Sequence, residues 1–90
     1  MTLVHAGDTL RITALPLEQM AVLALGLALL PEEKEVLAAL LAGRRVEVLE
    51  DGLEYKQYRK TAPLGIYRKF VSLERELREM GVVVIRNRRG

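Results

Sequence analysis

Four segments of the chain have the apolar pattern of a β-strand. Residues 10–14 alternate apolar and polar side chains, which predicts a strand packed on one face. Residues 2–5 predict a shorter strand before it, and residues 44–50 predict another after it. Residues 82–85 are four consecutive β-branched side chains. A run without alternation predicts a strand covered on both faces, as in a parallel sheet.

Apolar residues at helical spacing lie between these strands. Residues 17–30 are apolar almost all round, which predicts a helix buried on several sides. Pro31 ends this helix and begins another, which Gly43 ends. Residues 66–80 carry apolar side chains at steps of four and three, the clearest helical period in the chain.

The predicted order is a short strand, then strand, two helices, strand, helix and strand. Two right-handed crossovers place about three parallel strands and three helices in a two-layer or three-layer α/β domain over residues 1–90. One sheet edge stays unpaired, and the apolar helix 17–30 needs further partners, which predicts a homodimer or larger oligomer. The alternative is a monomer whose N-terminal residues cap the edge.

Composition excludes several classes of chemistry. The chain has no cysteine, which excludes disulfides, iron–sulfur clusters and thiol nucleophiles. His5 is the single histidine and Ser72 the single serine, so neither a multi-histidine metal site nor a serine hydrolase is expected. The longest apolar run, residues 20–30, is shorter than the about 20 residues that cross a bilayer, and a cytoplasmic location is predicted. An excess of arginine over lysine and a single asparagine are typical of a thermophilic protein.

The segment 51–69 combines aromatic rings with positive charge. All three tyrosines lie within it, and no acidic residue occurs between Tyr55 and Lys69. Cations beside flat rings are suited to holding a phosphate and stacking a nucleobase or flavin ring. The alternative is that the tyrosines cover the core while the cations face water. The candidate ligand-binding residues are Tyr55, Lys56, Tyr58, Arg59, Lys60, Tyr67 and Arg68.

Other charged groups are weaker candidates. Glu50, Asp51 and Glu54 offer acid–base groups or Mg²⁺ ligands, although solvation of a strand end is the simpler interpretation. The basic tail 86–89 suits contact with nucleic acid phosphates, although a solvating role is the simpler one. His5 has no catalytic partners in the sequence, so no catalytic residue and no metal site is predicted.

Two sets of small and apolar positions resemble known flavoproteins. The helix after the fourth strand of flavin-dependent cysteine decarboxylases is similar at Ala14-Leu15, Ala21, Ala24-Leu25-Gly26 and Ala28. The C-terminal part of flavoprotein-like proteins encoded with bacterial microcompartment and ethanolamine-utilisation loci is similar at residues 39–46, Ala62-Pro63, Tyr67, Leu77 and Gly81-Val82. This resemblance covers roughly residues 10–86. It implies half of a flavodoxin-like sheet, completed by a second copy.

The positions that would hold flavin depart from that family. Family members that bind flavin carry an Asn-Thr pair at the start of the first helix, where this chain has Glu18 and Gln19. A carboxylate there repels the flavin phosphate, so no cofactor is expected.

The sequence therefore predicts a small non-catalytic protein that self-associates and binds through residues 51–69. The expected ligand is a phosphate-bearing small molecule or a protein partner, without membrane association. One alternative is a flavin- or nucleotide-dependent enzyme whose site is assembled across a dimer. Another is a nucleic-acid-binding protein that uses its basic second half, which is less expected.

Overall fold

The computed structural model describes residues 1–86, which form four strands, three helices and two short 3-10 turns. The strands are β1 (Thr2–Ala6), β2 (Thr9–Ala14), β3 (Arg45–Leu49) and β4 (Val82–Ile85). The helices are α1 (Leu17–Ala24), α2 (Pro31–Leu41) and α3 (Leu64–Met80), and the turns are Glu50–Gly52 and Glu54–Tyr58. None of these helices combines the length and the apolar character that crossing a membrane requires.

The strands form one mixed sheet in the order β1-β2-β3-β4. β2, β3 and β4 are parallel, which confirms the predicted α/β fold with three parallel strands and three helices. β1 pairs antiparallel with β2 through a turn at Gly7 and Asp8. A tight turn thus lets the short strand predicted at residues 2–5 close a hairpin and cap the edge of the three parallel strands, as the alternative to an unpaired edge expected.

The three helices cover one face of the sheet, so the domain has two layers. Leu10, Val46 and Val82 lie in register on this face and are each at most 3% exposed. They belong to a single apolar core with helical side chains that include Leu23, Val36, Leu73 and Leu77.

The opposite face of the sheet carries polar and half-exposed side chains. Val4, Arg11, Glu47 and Val83 form a row across it, one from each strand. Glu47 is nevertheless buried, because Arg11 and Arg45 both donate hydrogen bonds to its carboxylate. Val83 is 36% exposed. The prediction that β4 is covered on both faces is therefore wrong, since the helices pack on only one.

α1 ends at Ala24, so the prediction of one helix over residues 17–30 is wrong. Gly26 follows with a φ of 75°, a left-handed conformation that glycine adopts without strain. The chain leaves the helix there, and α2 starts only at Pro31. The leucines of residues 25–30 are consequently exposed instead of buried on several sides.

Candidate functional site

The segment after β3 is fixed against the end of β2. The N–H of Leu15 donates to the carbonyl of Gly52 at 2.8 Å, and the N–H of Glu54 donates to the carbonyl of Leu15 at 3.2 Å. Gly52 lies so close to β2 that a Cβ on it would overlap the carbonyl oxygen of Thr13. The turn 54–58 is thereby held at the carboxyl end of the parallel strands, where open α/β sheets usually bind ligands.

Tyr55 anchors this turn to α3. It is 4% exposed, and its ring centroid lies 5.4 Å from that of Tyr67 and 5.9 Å from that of Phe70. Its hydroxyl donates a hydrogen bond to the buried carboxylate of Glu74. Burial, reinforced by Glu74, raises the pKa of Tyr55 far above its ordinary value, so the hydroxyl stays protonated.

Two positively charged side chains pair with Glu74 next to Tyr55. Arg78 donates to its carboxylate at 2.9 Å, and the Nζ of Lys56 lies 3.6 Å from it. Burial raises the pKa of Glu74, but the hydrogen bonds from Tyr55 and Arg78 outweigh burial and bring the pKa below its ordinary value. Lys56 also lies 3.4 Å from the carboxylate of Glu50. The charge of Lys56 is thus already balanced by two acidic residues.

Beside Tyr55 the surface opens into an apolar hollow of about 160 Å³, which we call the aromatic cleft. Every aromatic side chain of the protein contributes to its wall. The lining residues are Leu17, Tyr55, Tyr58, Ala62, Ile66, Tyr67 and Phe70. Tyr58 and Ile66 are 40% and 51% exposed, so they form its accessible rim.

Four exposed cations flank residues of the aromatic cleft along the chain. Arg59 and Lys60 directly follow Tyr58, and Arg68 and Lys69 separate Tyr67 from Phe70. None of these four cations forms an ion pair with another of the residues 1–86. Unpaired positive charge therefore lies next in sequence to three of the aromatic walls of the hollow.

The structure divides the seven predicted ligand-binding residues into an inner and an outer group. Tyr55 is buried, as the alternative in which the loop tyrosines cover the core implies, whereas Lys56 pairs with Glu74 instead of only facing water. Tyr67 is half-buried against Tyr55. The residues on the outside are Tyr58, Arg59, Lys60 and Arg68. The four residues of this outer group are exposed to a partner, and Tyr67 is accessible through the cleft.

Sequence reasoning missed the walls of the cleft that come from the helices. Leu17 is the first residue of α1, and Ala62 precedes α3. Ile66 belongs to the apolar period that predicts α3, yet half of its surface is exposed. The sequence did contain a signal for this wall. Ile66 and Phe70 are four residues apart, so they lie one turn apart on the same side of α3, and Tyr67 is between them in the chain.

The acidic candidates stabilise the fold locally. The carboxylate of Glu54 accepts the N–H of Leu17 at 3.1 Å and so caps the start of α1. Glu50 pairs with Lys56 and lies 3.5 Å from Arg86. Together with Asp51 and neighbouring residues they border a hollow of about 580 Å³ whose lining also includes Lys56 and Arg86.

His5 lies 2.8 Å from the carboxylate of Glu35 in α2, which ties β1 to the helical layer. Among the described residues no three histidine or acidic side chains are grouped as a metal site would require. The basic tail beyond Arg86 lies outside the described residues, so its predicted role stays a prediction.

No protein-family model matches the chain, nor does any curated protein or solved structure. The resemblance to flavoprotein-like proteins therefore stays a prediction. At the position where that family would hold the flavin phosphate, Gln19 is buried and its amide donates to the carboxylates of Glu33 at 3.3 Å and Glu32 at 3.5 Å. Glu18 lines the same hollow. A phosphate placed there would face three carboxylates, which disfavours it.

Proposed function

We propose that this protein is a non-catalytic binding protein that recognises an acidic segment of a partner protein. An apolar side chain of that segment enters the aromatic cleft, and its carboxylates contact the exposed cations Arg59, Lys60 and Arg68. The observation that carries the proposal is the meeting of all four aromatic rings around one accessible hollow.

The size of the aromatic cleft supports a single side chain as its occupant. An apolar cavity of about 150 Å³ holds a benzene-sized group, and the cleft has a volume of about 160 Å³. Small-molecule and cofactor sites are usually larger, about 300–1,000 Å³. A leucine or phenylalanine of a partner therefore fits the cleft better than a whole cofactor does.

Charge supports an acidic neighbourhood around that side chain. The second half of the chain, residues 51–90, has ten basic and five acidic residues, whereas residues 1–50 have four basic and seven acidic residues. Unpaired surface cations attract an acidic partner and accelerate its association, an effect that salt weakens. Lys56 contributes little, because Glu50 and Glu74 already balance its charge.

The ionisable groups behind the cleft support binding rather than catalysis. The hydroxyl of Tyr55 stays protonated and is committed to Glu74. Glu74 in turn is held by Arg78 and Lys56. General acid–base catalysis needs a group with a pKa near the working pH and within reach of the substrate. These four groups instead pair with one another and support the wall of the cleft.

A labelled peptide tests the proposal directly. The probe is a fluorescein-labelled octapeptide with one phenylalanine between glutamates, and the readout is fluorescence anisotropy. Two matched peptides replace the phenylalanine by alanine or the glutamates by glutamine. We expect the first peptide to bind in a salt-dependent manner and each matched peptide to bind at least ~10-fold more weakly.

Two double variants locate the binding site. Arg59→Ala with Lys60→Ala is expected to weaken binding of the phenylalanine peptide, whereas Lys34→Ala with Arg44→Ala, an equal loss of exposed charge elsewhere, is not. Equal affinity of all three peptides would contradict the proposal. Binding of inorganic phosphate at these cations without any peptide binding would also contradict it, and would indicate a small-anion site instead.

A further inference from the structure

A second surface of the molecule is apolar and exposed. Residues 25–30, between α1 and α2, contain no polar side chain. Their leucines are 46–70% exposed. Contiguous exposed apolar surface of this kind is uncommon in monomeric proteins and marks an interaction site.

Leu41 protrudes next to a hollow on this surface. It is the last residue of α2 and is 90% exposed. The hollow has a volume of about 290 Å³, which exceeds the ~150 Å³ that holds a benzene-sized group. It is lined by Gly26, Leu37, Leu40, Leu41 and Met80. None of these residues is charged, so a leucine side chain can enter without desolvating an ion.

Two helix ends hold the projection and the hollow in place. The N–H of Gly26 donates to the carbonyl of Leu23, and the N–H of Leu27 donates to the carbonyl of Val22. The N–H of Gly43 donates to the carbonyl of Leu40, and the N–H of Arg44 donates to the carbonyl of Ala39. Both are Schellman motifs, which fix the last turn of α1 and of α2. The surface is therefore preorganised, which lowers the cost of binding.

We infer that a second copy of this chain covers this surface in a two-fold symmetric dimer, with Leu41 of each copy in the hollow of the other. In a two-fold symmetric dimer, the same surface patch of both copies meets at the interface. A patch that has a projection beside a hollow is then complementary to itself, because each projection can enter the hollow of the other copy. Leu25, Leu27 and Leu41, which lie beside or next to Gly26 and the hollow, together expose the equivalent of about two whole leucine residues per copy, and Leu29 and Leu30 extend the apolar surface toward the start of α2. That is a substantial part of the about 800 Å² per partner that a stable interface buries.

The dimer surface is separate from the aromatic cleft. α3 contributes Ile66, Tyr67 and Phe70 to the cleft near its start and Met80 to the hollow at its end. At a rise of about 1.5 Å per residue, Ile66 and Met80 are roughly 20 Å apart along the helix. The dimer therefore leaves both clefts accessible, and its test does not depend on the proposed function.

Sedimentation velocity over a concentration series tests the dimer. We expect a reversible dimer that Leu41→Asp weakens at least ~10-fold. Leu64→Asp is the matched control, because Leu64 is also exposed, at 62%, but lies at the other end of α3. Both positions are exposed, so both variants should keep the fold, which circular dichroism verifies. A monomer at every concentration, or a dimer that Leu41→Asp leaves unchanged, would overturn the inference.

Isotope-filtered NMR of a mixture of labelled and unlabelled protein locates the contact. We expect intermolecular contacts between the methyl groups of Leu41 in one copy and Met80 in the other. A dimer without this contact, or with intermolecular contacts only along β4, would show a different interface and would also overturn the inference.

Discussion

Tyr55 and Tyr58 lie close together in one turn, yet their hydroxyl groups have different surroundings. Tyr55 is buried and donates to Glu74, whereas Tyr58 is 40% exposed and its hydroxyl lies 3.4 Å from the carboxylate of Glu54. A hydrogen bond to a buried carboxylate is worth more than an exposed one, because no water replaces a lost donor. The two residues therefore form a matched pair for measuring what the anchor contributes.

Tyr55→Phe is expected to lower the free energy of unfolding by about 1.5–3 kcal/mol, since it leaves a buried carboxylate with one donor fewer. Tyr58→Phe is expected to change it by less than ~0.5 kcal/mol, as for an exposed substitution. Urea denaturation measures both values. Equal losses in the two variants would show that the hydroxyl of Tyr55 does not anchor the turn.

Glu74 also gives the protein a dependence on acid pH. Its pKa is lowered in the folded state, below the about 4.3 of a glutamate in an unfolded chain. Its stabilisation is therefore present above about pH 4.3 and is lost as the pH falls through the lower pKa of the folded state. Glu33, held by the N–H of Leu30, and Glu47, held by Arg45, have lowered pKa values and act in the same direction.

Glu74→Gln is expected to make the unfolding free energy fall less steeply below about pH 4.3 than in the wild type, because one of these carboxylates no longer titrates. Part of the slope should remain, since Glu33 and Glu47 are unchanged. Urea denaturation at a series of pH values measures the slope. An identical slope in both proteins would mean that Glu74 has the same pKa in the folded and unfolded states.

At the scale of elements, two helices end in the same way but only one end was predicted. Gly43 precedes two arginines, so the apolar period stops where the helix stops. Gly26 lies inside an uninterrupted apolar run, where composition gives no sign of a break. The backbone hydrogen bonds around Gly26 decide the end of α1, and apolar periodicity does not report them.

The strands and α3 were predictable because each has its own local signal, an alternation for β2, a β-branched run for β4 and a helical period for α3. The aromatic cleft was only partly predictable, because its walls come from α1, the turn 54–58 and α3, which long-range packing brings together. The tyrosines and cations of residues 51–69 were visible in the sequence as a cluster. That Tyr55 faces inward and Tyr58 outward depends on how Gly52 fits against β2, which no local pattern encodes.

Gly52→Ala tests that fit at the level of the element. A Cβ at this position meets the carbonyl oxygen of Thr13, so we expect a loss of about 1–3 kcal/mol, as for overpacking in a core. Gly65→Ala is the control, because Gly65 lies in the first turn of α3 with open space around it. Alanine there should be neutral or stabilise by about 0.5–1 kcal/mol. Thermal denaturation compares the two, and a neutral Gly52→Ala would contradict the close contact.

At the scale of the whole molecule, the same helix serves two surfaces of different chemistry. The start of α3 carries aromatic rings with unpaired cations nearby, and its end borders an uncharged hollow. Residues far apart that share no partners usually contribute additively to stability and binding. The proposed binding and the inferred dimer should therefore be separable by substitution.

Crossed measurements on two variants test this separation. Leu41→Asp is expected to leave the affinity for the phenylalanine peptide within about threefold of the wild type, because its effects should not reach a cleft roughly 20 Å away along α3. Tyr58→Ala is expected to weaken peptide binding and to leave the dimer dissociation constant unchanged, because Tyr58 lines the cleft and is not among the residues that line the dimer hollow. On the same preparations, fluorescence anisotropy measures the peptide affinity and sedimentation velocity measures the dimer dissociation constant. If Leu41→Asp abolished peptide binding while the fold stayed intact, the cleft would be complete only in the dimer, and the two surfaces would act as one site.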